Sequence, residues 1–282
     1  DGGAISDTAD VTLSGAGQLT VAGSETVGTL AGTGGTVAIA NGQVLTIGPD
    51  AVGPAASFAG VIQGAGGLTY DSAGNTLQLG GANTYGGTTT VAGGTLEVLV
   101  GGSLTSSMID VTGGALITNG GALAANTRIS NAGTLTVAGE TIRRVNGAGG
   151  VVLNAGGLTL TGGPSVVTGV VTGAGGLTVD GGSVSLEATN TYGGGTVLDS
   201  GRLTVDAGDR LGGGALTLNG GLFVGTGSFV QSNDIVTGAG ATATIAATNG
   251  SMLELQPGSM TTGAGSTVIL GTAGRNGTVV LN

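Results

Sequence analysis

The phrase Gly-x-Leu-Thr recurs along this chain of 282 residues and limits what the chain can fold into. Its copies begin at Gly17, Gly66, Gly133, Gly156, Gly175, Gly201 and Gly214. Most neighbouring copies are separated by roughly 19 to 28 residues or by a multiple of that distance, which is the length of one turn of a β-solenoid. The repeat therefore favours a coil of stacked turns over a sandwich of long strands.

Short apolar pairs at positions i and i+2 support this interpretation, because the two-residue period is that of a β-strand. The pairs are Leu19/Val21, Val37/Ile39, Leu68/Tyr70, Leu77/Leu79, Leu96/Val98, Leu135/Val137, Leu158/Leu160, Leu177/Val179, Leu203/Val205 and Leu216/Leu218. Glycine accounts for 65 residues, and each glycine disfavours a helix by roughly 0.8–1 kcal/mol. We expect strands of only three to five residues, with Leu and Val pointing inward and the residue between them facing water.

These patterns together predict an all-β fold, a right-handed single-stranded parallel β-helix. Right-handed coiling is the expected hand of crossovers between parallel strands. At about 20 residues per turn the chain would make roughly 14 turns. The polar start, Asp1–Asp10, could cap this solenoid, whereas Gly277–Asn282 reads as a strand with no cap.

A longer repeat indicates two related modules, at about residues 17–125 and 133–230. Gly64–Tyr70 returns as Gly173–Val179, and Asn83–Gly87 returns as Asn190–Gly194, in the same order. No proline-rich or charged linker separates the copies. We therefore expect one continuous domain over residues 1–282, with additional turns at its ends.

Composition excludes several classes of function. The chain has no Cys, His, Lys or Trp. Its six Arg are outnumbered by 16 acidic residues, which gives a formal net charge of −10. A Ser-His-Asp triad, a Schiff base and a thiolate metal site are therefore impossible. An acidic chain with three Tyr and three Phe also lacks the cationic surface and stacking platforms that nucleic acids need. We expect no cofactor, no metal and no catalytic residue.

The segments 58–69, 77–91 and 94–96 resemble the autotransporter-associated β-strand repeat, the passenger-domain repeat of type V secreted proteins. A second copy runs from Gly173 to Val205. The residues that match the repeat motif are Leu68, Asn83, Thr84, Tyr85, Gly86, Gly87, Leu177, Asn190, Thr191, Tyr192, Gly193 and Gly194. The Lys that usually follows Leu-Thr is replaced by Tyr70 and Val179, and the Thr that usually follows Tyr is missing from both copies.

The resemblance implies a right-handed parallel β-helix on the outer surface of a Gram-negative-type bacterium, exported through an outer-membrane translocator. It assigns structural roles to the motif residues. We expect Asn83 and Asn190 to cap neighbouring backbone groups, with Tyr85 and Tyr192 covering the loop. Stacking of the two tyrosines on a ligand is the alternative.

Other polar groups suggest weaker hypotheses. Asp206 and Asp209, like Asp7 and Asp10, flank bends of the kind that bind calcium, but we expect them to be solvated turn residues. Asp199-Ser200-Gly201 resembles the centre of a serine-protease motif, and Arg143-Arg144 is expected to be an exposed bend. An outward ladder of Thr136, Thr159, Thr178 and Thr204 would suit ice binding, but the irregular spacing argues against it.

The sequence therefore predicts a non-enzymatic, secreted or cell-surface β-helix with a structural or adhesive role. Its partners would be glycans or proteins of cell surfaces, or further copies of itself. The first alternative is a subunit of an extracellular filament or sheath, assembled by end-to-end stacking of solenoids. A polysaccharide-active β-helix enzyme is a minor alternative, since glycoside hydrolysis requires two converging carboxylates and most acidic residues here stand alone.

Overall fold

The computed structural model of the chain describes residues 5–48, 55–256, 258–271 and 276–282. In these residues the chain is all-β without a helix, and its parallel strands stack in a β-solenoid of about 12 turns. The predicted fold class is thus confirmed, while its right hand stays a prediction. Asp1–Ala4 of the expected cap lie outside the described residues.

The chain divides into two compact units, unit 1 over residues 1–137 and unit 2 over residues 138–282. Each unit contains one copy of the Asn-Thr-Tyr-Gly-Gly motif. The expectation of a single continuous domain stays a prediction.

Unit 1 contains 17 of the strands in the described residues. They are β1 Asp10–Leu13, β2 Gln18–Val21, β3 Glu25–Val27, β4 Thr29–Gly32, β5 Thr36–Ile39, β6 Val44–Ile47, β7 Ala56–Phe58, β8 Val61–Gly64, β9 Gly67–Leu79, β10 Ala82–Asn83, β11 Thr89–Leu99, β12 Ser103–Leu104, β13 Met108–Val111, β14 Ala115–Asn119, β15 Ala122–Leu123, β16 Arg128–Asn131 and β17 Thr134–Val137.

Unit 2 contains the other 17. They are β18 Glu140–Ile142, β19 Arg144–Asn146, β20 Gly150–Leu153, β21 Leu158–Leu160, β22 Ser165–Val167, β23 Val171–Thr172, β24 Leu177–Leu186, β25 Thr196–Val205, β26 Leu216–Leu218, β27 Leu222–Gly225, β28 Phe229–Gln231, β29 Ile235–Thr237, β30 Thr242–Ala247, β31 Met252–Leu255, β32 Met260–Thr262, β33 Thr267–Leu270 and β34 Thr278–Leu281.

Strands of successive turns pair in parallel and form three faces in each unit. In unit 1 the rows are β1-β4-β7-β9-β11-β14-β17, then β2-β5-β8 with β10-β12-β15, and β3-β6-β9-β11-β13-β16. In unit 2 they are β18-β21-β24-β25-β26-β29-β32, then β22-β24-β25-β27-β30-β33, and β28-β31-β34. Equivalent residues therefore recur once per turn along each face.

The apolar pairs found in the sequence form the core. The first member of the first pair, Leu19, is half-buried, and the remaining members of the ten pairs are buried. In-register pairing stacks like on like, as in the contact of Leu77 with Leu96 and of Leu96 with Leu116. The two-residue period thus places one apolar layer per turn inside each unit.

Two expectations about lengths were wrong. Four strands are much longer than five residues, β9 with 13, β11 with 11, and β24 and β25 with 10 each. Each continues around a corner of the coil through a glycine. Gly94 on β11 has a φ of +67°, and a Cβ at this position would lie only 2.1 Å from the carbonyl oxygen of Ser72. The count of 14 turns was also too high, because late turns lengthen: Ile235 pairs with Met260, 25 residues further on (260 − 235).

Candidate functional site

The side chain of Asn83 is fully buried and bonds to three successive turns of unit 1. Its Oδ1 accepts the backbone N–H of Ile62 at 2.9 Å, and its Nδ2 donates to the carbonyls of Gly81 at 2.9 Å and Ser103 at 3.1 Å. A side-chain amide is suited to this position because it offers both an acceptor and two donors. Asn83 therefore completes the backbone pairing between turns at a corner where the strands are interrupted.

Asn190 makes two of the three equivalent bonds in unit 2. Its Oδ1 accepts the N–H of Val171 at 2.7 Å and its Nδ2 donates to the carbonyl of Arg210 at 2.7 Å. The side chain is 7% exposed, so it is nearly as enclosed as Asn83. The shared geometry gives the two motif copies the same structural role.

Tyr85 and Tyr192 are both fully buried. Each phenol oxygen lies 2.6 Å from a threonine hydroxyl four residues later, on Thr89 and Thr196. Burial raises the pKa of each tyrosine to about 12, against the smaller lowering effect of these hydrogen bonds. Neither ring faces solvent, so the alternative of ligand stacking on these tyrosines does not fit the structure.

The two glycines of each motif copy differ in their surroundings. A Cβ added to Gly87 would lie 2.4 Å from the backbone of Gly66, and one added to Gly194 would lie 2.4 Å from the nitrogen of Gly176. At Gly86 and Gly193 the nearest atoms would be 4.0 and 3.9 Å away. The second glycine of the motif therefore allows two turns to approach each other closely.

The remaining motif residues divide by burial. Leu68 and Leu177 are buried in the core, whereas Thr84 and Thr191 are exposed. The sequence analysis did not single out Thr89 and Thr196, the partners of the buried tyrosines. Their common position four residues after each tyrosine was the available signal.

The two units differ at the turn that follows the motif. Thr89 pairs with Ile109 in unit 1 and Thr196 pairs with Leu216 in unit 2, so residues 105–108 correspond to residues 212–215. The sequence at these positions is Thr-Ser-Ser-Met in unit 1 and Gly-Gly-Gly-Ala in unit 2. In unit 1 the hydroxyl of Ser106 lies 2.7 Å from that of Thr89 and donates to the carbonyl of Gly87 at 2.9 Å.

Loss of these side chains coincides with an open groove of about 820 Å³ in unit 2. Its lining residues are Asn190, Thr191, Gly208, Asp209, Leu211, Gly212, Gly213, Gly214, Ala215, Val230, Ser232, Asn233, Asp234 and Gly258. The volume lies within the range of small-ligand sites. The groove is therefore the candidate binding site of the described residues.

Three of the acidic residues named from the sequence accept hydrogen bonds from nearby side chains. Arg210 contacts Asp206 at 2.6 Å and Asp209 at 2.9 Å, and Asp10 accepts the hydroxyl of Thr29 at 2.7 Å. Asp7 is exposed. Among the described residues no group of three or more acidic side chains could hold a metal ion.

The protease-like segment and the arginine pair also lie on the surface. Asp199 accepts the side-chain amide of Asn219 at 2.7 Å, and the Ser200 hydroxyl donates to Asp180 at 3.2 Å. Arg143 is exposed, and Arg144 is half-buried. The Asp-Ser-Gly segment is thus part of the pairing between turns.

The threonine ladder consists of other residues than those expected. Thr159 and Thr178 lie in one row of unit 2, whereas Thr136 and Thr204 lie on other faces. The row comprises Thr141, Thr159, Thr178, Val197, Thr217, Val236 and Thr261. A comparable row in unit 1 comprises Thr26, Thr46, Thr69 and Thr90. The four threonines named from the sequence thus do not form one ladder, and Val197 and Val236 interrupt the row that contains two of them.

Comparisons with protein-family models, with curated proteins and with solved structures found no match to this chain. In the part of the chain that the structure describes, no helix is long and apolar enough to cross a membrane.

Proposed function

We propose that the chain is a non-enzymatic structural or adhesive element of a bacterial cell surface, exported as the passenger of a type V secreted protein. The observation that carries the proposal is the use of polar side chains to join one turn to the next. Asn83 and Asn190 bond to the backbones of neighbouring turns, and Glu97 accepts from Gln78 and from Asn119 at 2.8 and 3.0 Å. Such bonds stiffen a repeat structure whose turns contact only their neighbours.

Surface charge supports the same role. The net charge of −10 limits association between exported copies. Several carboxylates accept neutral donors from the adjacent turn, as Asp199 does from Asn219 and Asp180 from Ser200. These carboxylates therefore join neighbouring turns without a charged partner, which favours a stable display surface.

Adhesion can be tested with beads that carry the whole chain, passed over arrays of glycans and cell-surface proteins. We expect retention several-fold above that of beads carrying an unrelated protein of the same net charge. Equal retention of both bead types would contradict the adhesive role. Antibody labelling of intact and lysed cells would test export, with labelling of intact cells expected.

Assembly into a filament is the second candidate, and the last described turns favour it. β32, β33 and β34 expose apolar side chains, including Leu270 at 48% and Leu281 at 52%. Leu270 pairs with the buried Ile245 and Leu281 pairs with the buried Leu255, so both continue core rows. Exposed apolar rows of this kind favour contact with another copy of the chain.

Sedimentation over a concentration series tests this candidate. Assembly predicts a sedimentation coefficient that rises with concentration, and loss of that rise in Leu270→Asp and Leu281→Asp. Val100→Asp is the control, because Val100 is 80% exposed in unit 1. A concentration-independent coefficient would contradict assembly.

A further inference from the structure

The groove of unit 2 lies where the two motif copies differ in sequence. The side chains of residues 212–215 are three hydrogens and one methyl group, because three glycines and an alanine stand where residues 105–108 are Thr-Ser-Ser-Met. Asn190, Tyr192 and Thr196 keep the geometry of the first motif copy around this change. The groove is thus an opening in an otherwise repeated structure.

The three glycines do not contribute equally. A Cβ on Gly212 would lie 2.0 Å from the carbonyl oxygen of Tyr192, and one on Gly214 would lie 2.4 Å from Gly195. A Cβ on Gly213 would meet nothing within 4 Å. Gly212 and Gly214 are therefore needed for packing, whereas Gly213 faces open space that a side chain could fill.

Polar and apolar groups contribute about equally to the lining. Asp209 and Asp234 contribute carboxylates. The side chain of Asp209 is 53% exposed, although its Oδ1 accepts from Arg210 at 2.9 Å and its Oδ2 accepts from the hydroxyl of Thr189 at 2.7 Å. Asp234 Oδ1 accepts the N–H of Ser259 at 2.6 Å. The neighbouring Arg210 is turned to Asp206 and Asp209, and only 16% of its side chain is exposed.

The floor of the groove is held by one side chain. Asn233 donates through Nδ2 to the carbonyls of Gly212 at 2.9 Å and Gly214 at 2.6 Å. Exposed hydroxyl donors come from Thr191 and Ser232. A rim with two carboxylates disfavours anionic ligands and suits a ligand rich in donors, since charge-assisted hydrogen bonds are the stronger ones.

We propose that this groove binds an amino sugar, a short saccharide segment whose protonated amino group and hydroxyls donate to Asp209, Asp234 and the adjacent carbonyls. The inference rests on the proposed adhesive function and names the ligand class of that surface. Neutral sugars lack the charged donor and bind more weakly, and acidic sugars are repelled by the two carboxylates.

Titration calorimetry of the whole chain tests the proposal with three probes, oligomers of glucosamine, of glucose and of galacturonic acid. We expect binding in that order, with none to the acidic oligomer. Gly213→Leu fills the groove without changing the net charge and should weaken glucosamine binding at least about tenfold. Asp234→Asn keeps an acceptor for the N–H of Ser259 and should weaken it about threefold to tenfold.

Two controls separate the groove from general attraction to an acidic protein. Gly23→Leu is the matched variant, because Gly23 is exposed in unit 1 and an added Cβ meets nothing within 4 Å; it should bind like the wild type. An oligomer of lysine tests charge alone and should bind the wild type and Gly213→Leu equally. Thermal unfolding of each variant checks that it is folded.

Unchanged binding of glucosamine by a folded Gly213→Leu variant would overturn the proposal, as would absence of binding to the wild type. Retention of beads in the adhesion assay is a separate result. Retention that survives Gly213→Leu, together with no calorimetric binding of glucosamine to the wild type, would refute the groove while leaving an adhesive role elsewhere on the surface. Calorimetric binding without retention of beads would support the groove and contradict the adhesive role.

Discussion

Replacing Asn83 by alanine tests the structural role of the repeat motif. The change removes the acceptor of the Ile62 N–H and the donor to the carbonyls of Gly81 and Ser103. An unsatisfied buried polar group costs about 1–3 kcal/mol. With three groups affected and partial relaxation of the corner, we expect a loss of about 3–5 kcal/mol in the free energy of unfolding.

Asn190→Ala provides an internal comparison. It removes two bonds, to Val171 and Arg210, beside the open groove, where water can reach the released carbonyl. We expect a smaller loss of about 2 kcal/mol. Thr84→Ala and Thr191→Ala are the controls, since both threonines are exposed in the same motifs, and surface changes of this kind stay within about 0.5 kcal/mol.

Urea unfolding gives the overall effect, and amide hydrogen exchange at Ile62 and Val171 gives the local one. Exchange is the more direct measure, because the turns of a solenoid can open separately. A loss below about 1 kcal/mol in Asn83→Ala, with unchanged protection of the Ile62 amide, would refute the reasoning.

Three further predictions concern titration, close packing and charge. Burial raises the pKa of Tyr85 and Tyr192 to about 12. The free energy of unfolding should therefore be unaffected below the pKa of an unfolded tyrosine, near 10, and should fall as the pH rises from there towards 12, by at most about 3 kcal/mol per residue. Unfolding measured at alkaline pH should show a smaller fall in Tyr85→Phe than in the wild type. Gly87→Ala places a Cβ 2.4 Å from Gly66 and should cost about 1–3 kcal/mol or more, whereas thermal unfolding of Gly86→Ala should match the wild type. Gln78→Glu replaces the donor to Glu97 by a second carboxylate in register and should lower the free energy of unfolding by about 1–2 kcal/mol. This loss should become smaller at high salt. If Gln78→Ala shows the same loss at all salt concentrations, the effect is not due to charge.

The core could be predicted from the sequence because its signal is local. A short strand with Leu or Val at i and i+2 between glycines has one apolar side. Stacking such strands in register buries that side, as at Leu77 and Leu96. The four long strands could not be predicted, since glycine at a bend both interrupts the apolar pattern and allows the strand to continue. Gly94 shows both effects.

The site was harder to predict because it depends on residues one turn apart. The sequence marks Asn83 and Tyr85 as distinctive. However, Ser103, which bonds to Asn83, and Ser106, which bonds to Thr89, lie in the next turn, some 20 positions away. The groove lies at a difference between the modules, Gly213 against Ser106, at a place outside the repeated phrases. The rows of threonines could be identified only from the pairing register of the strands, because loops of different length separate the threonines unevenly in the sequence.

The central claim is that this surface binds a glycan without transforming it. The most direct measurement is mass spectrometry of amino-sugar oligomers recovered from the immobilised chain after prolonged incubation. Our account predicts captured oligomers of unchanged mass, with capture reduced in Gly213→Leu. Oligomers cleaved by hydrolysis or by elimination would contradict this account and indicate an enzyme. Recovery of no oligomer would contradict the binding role.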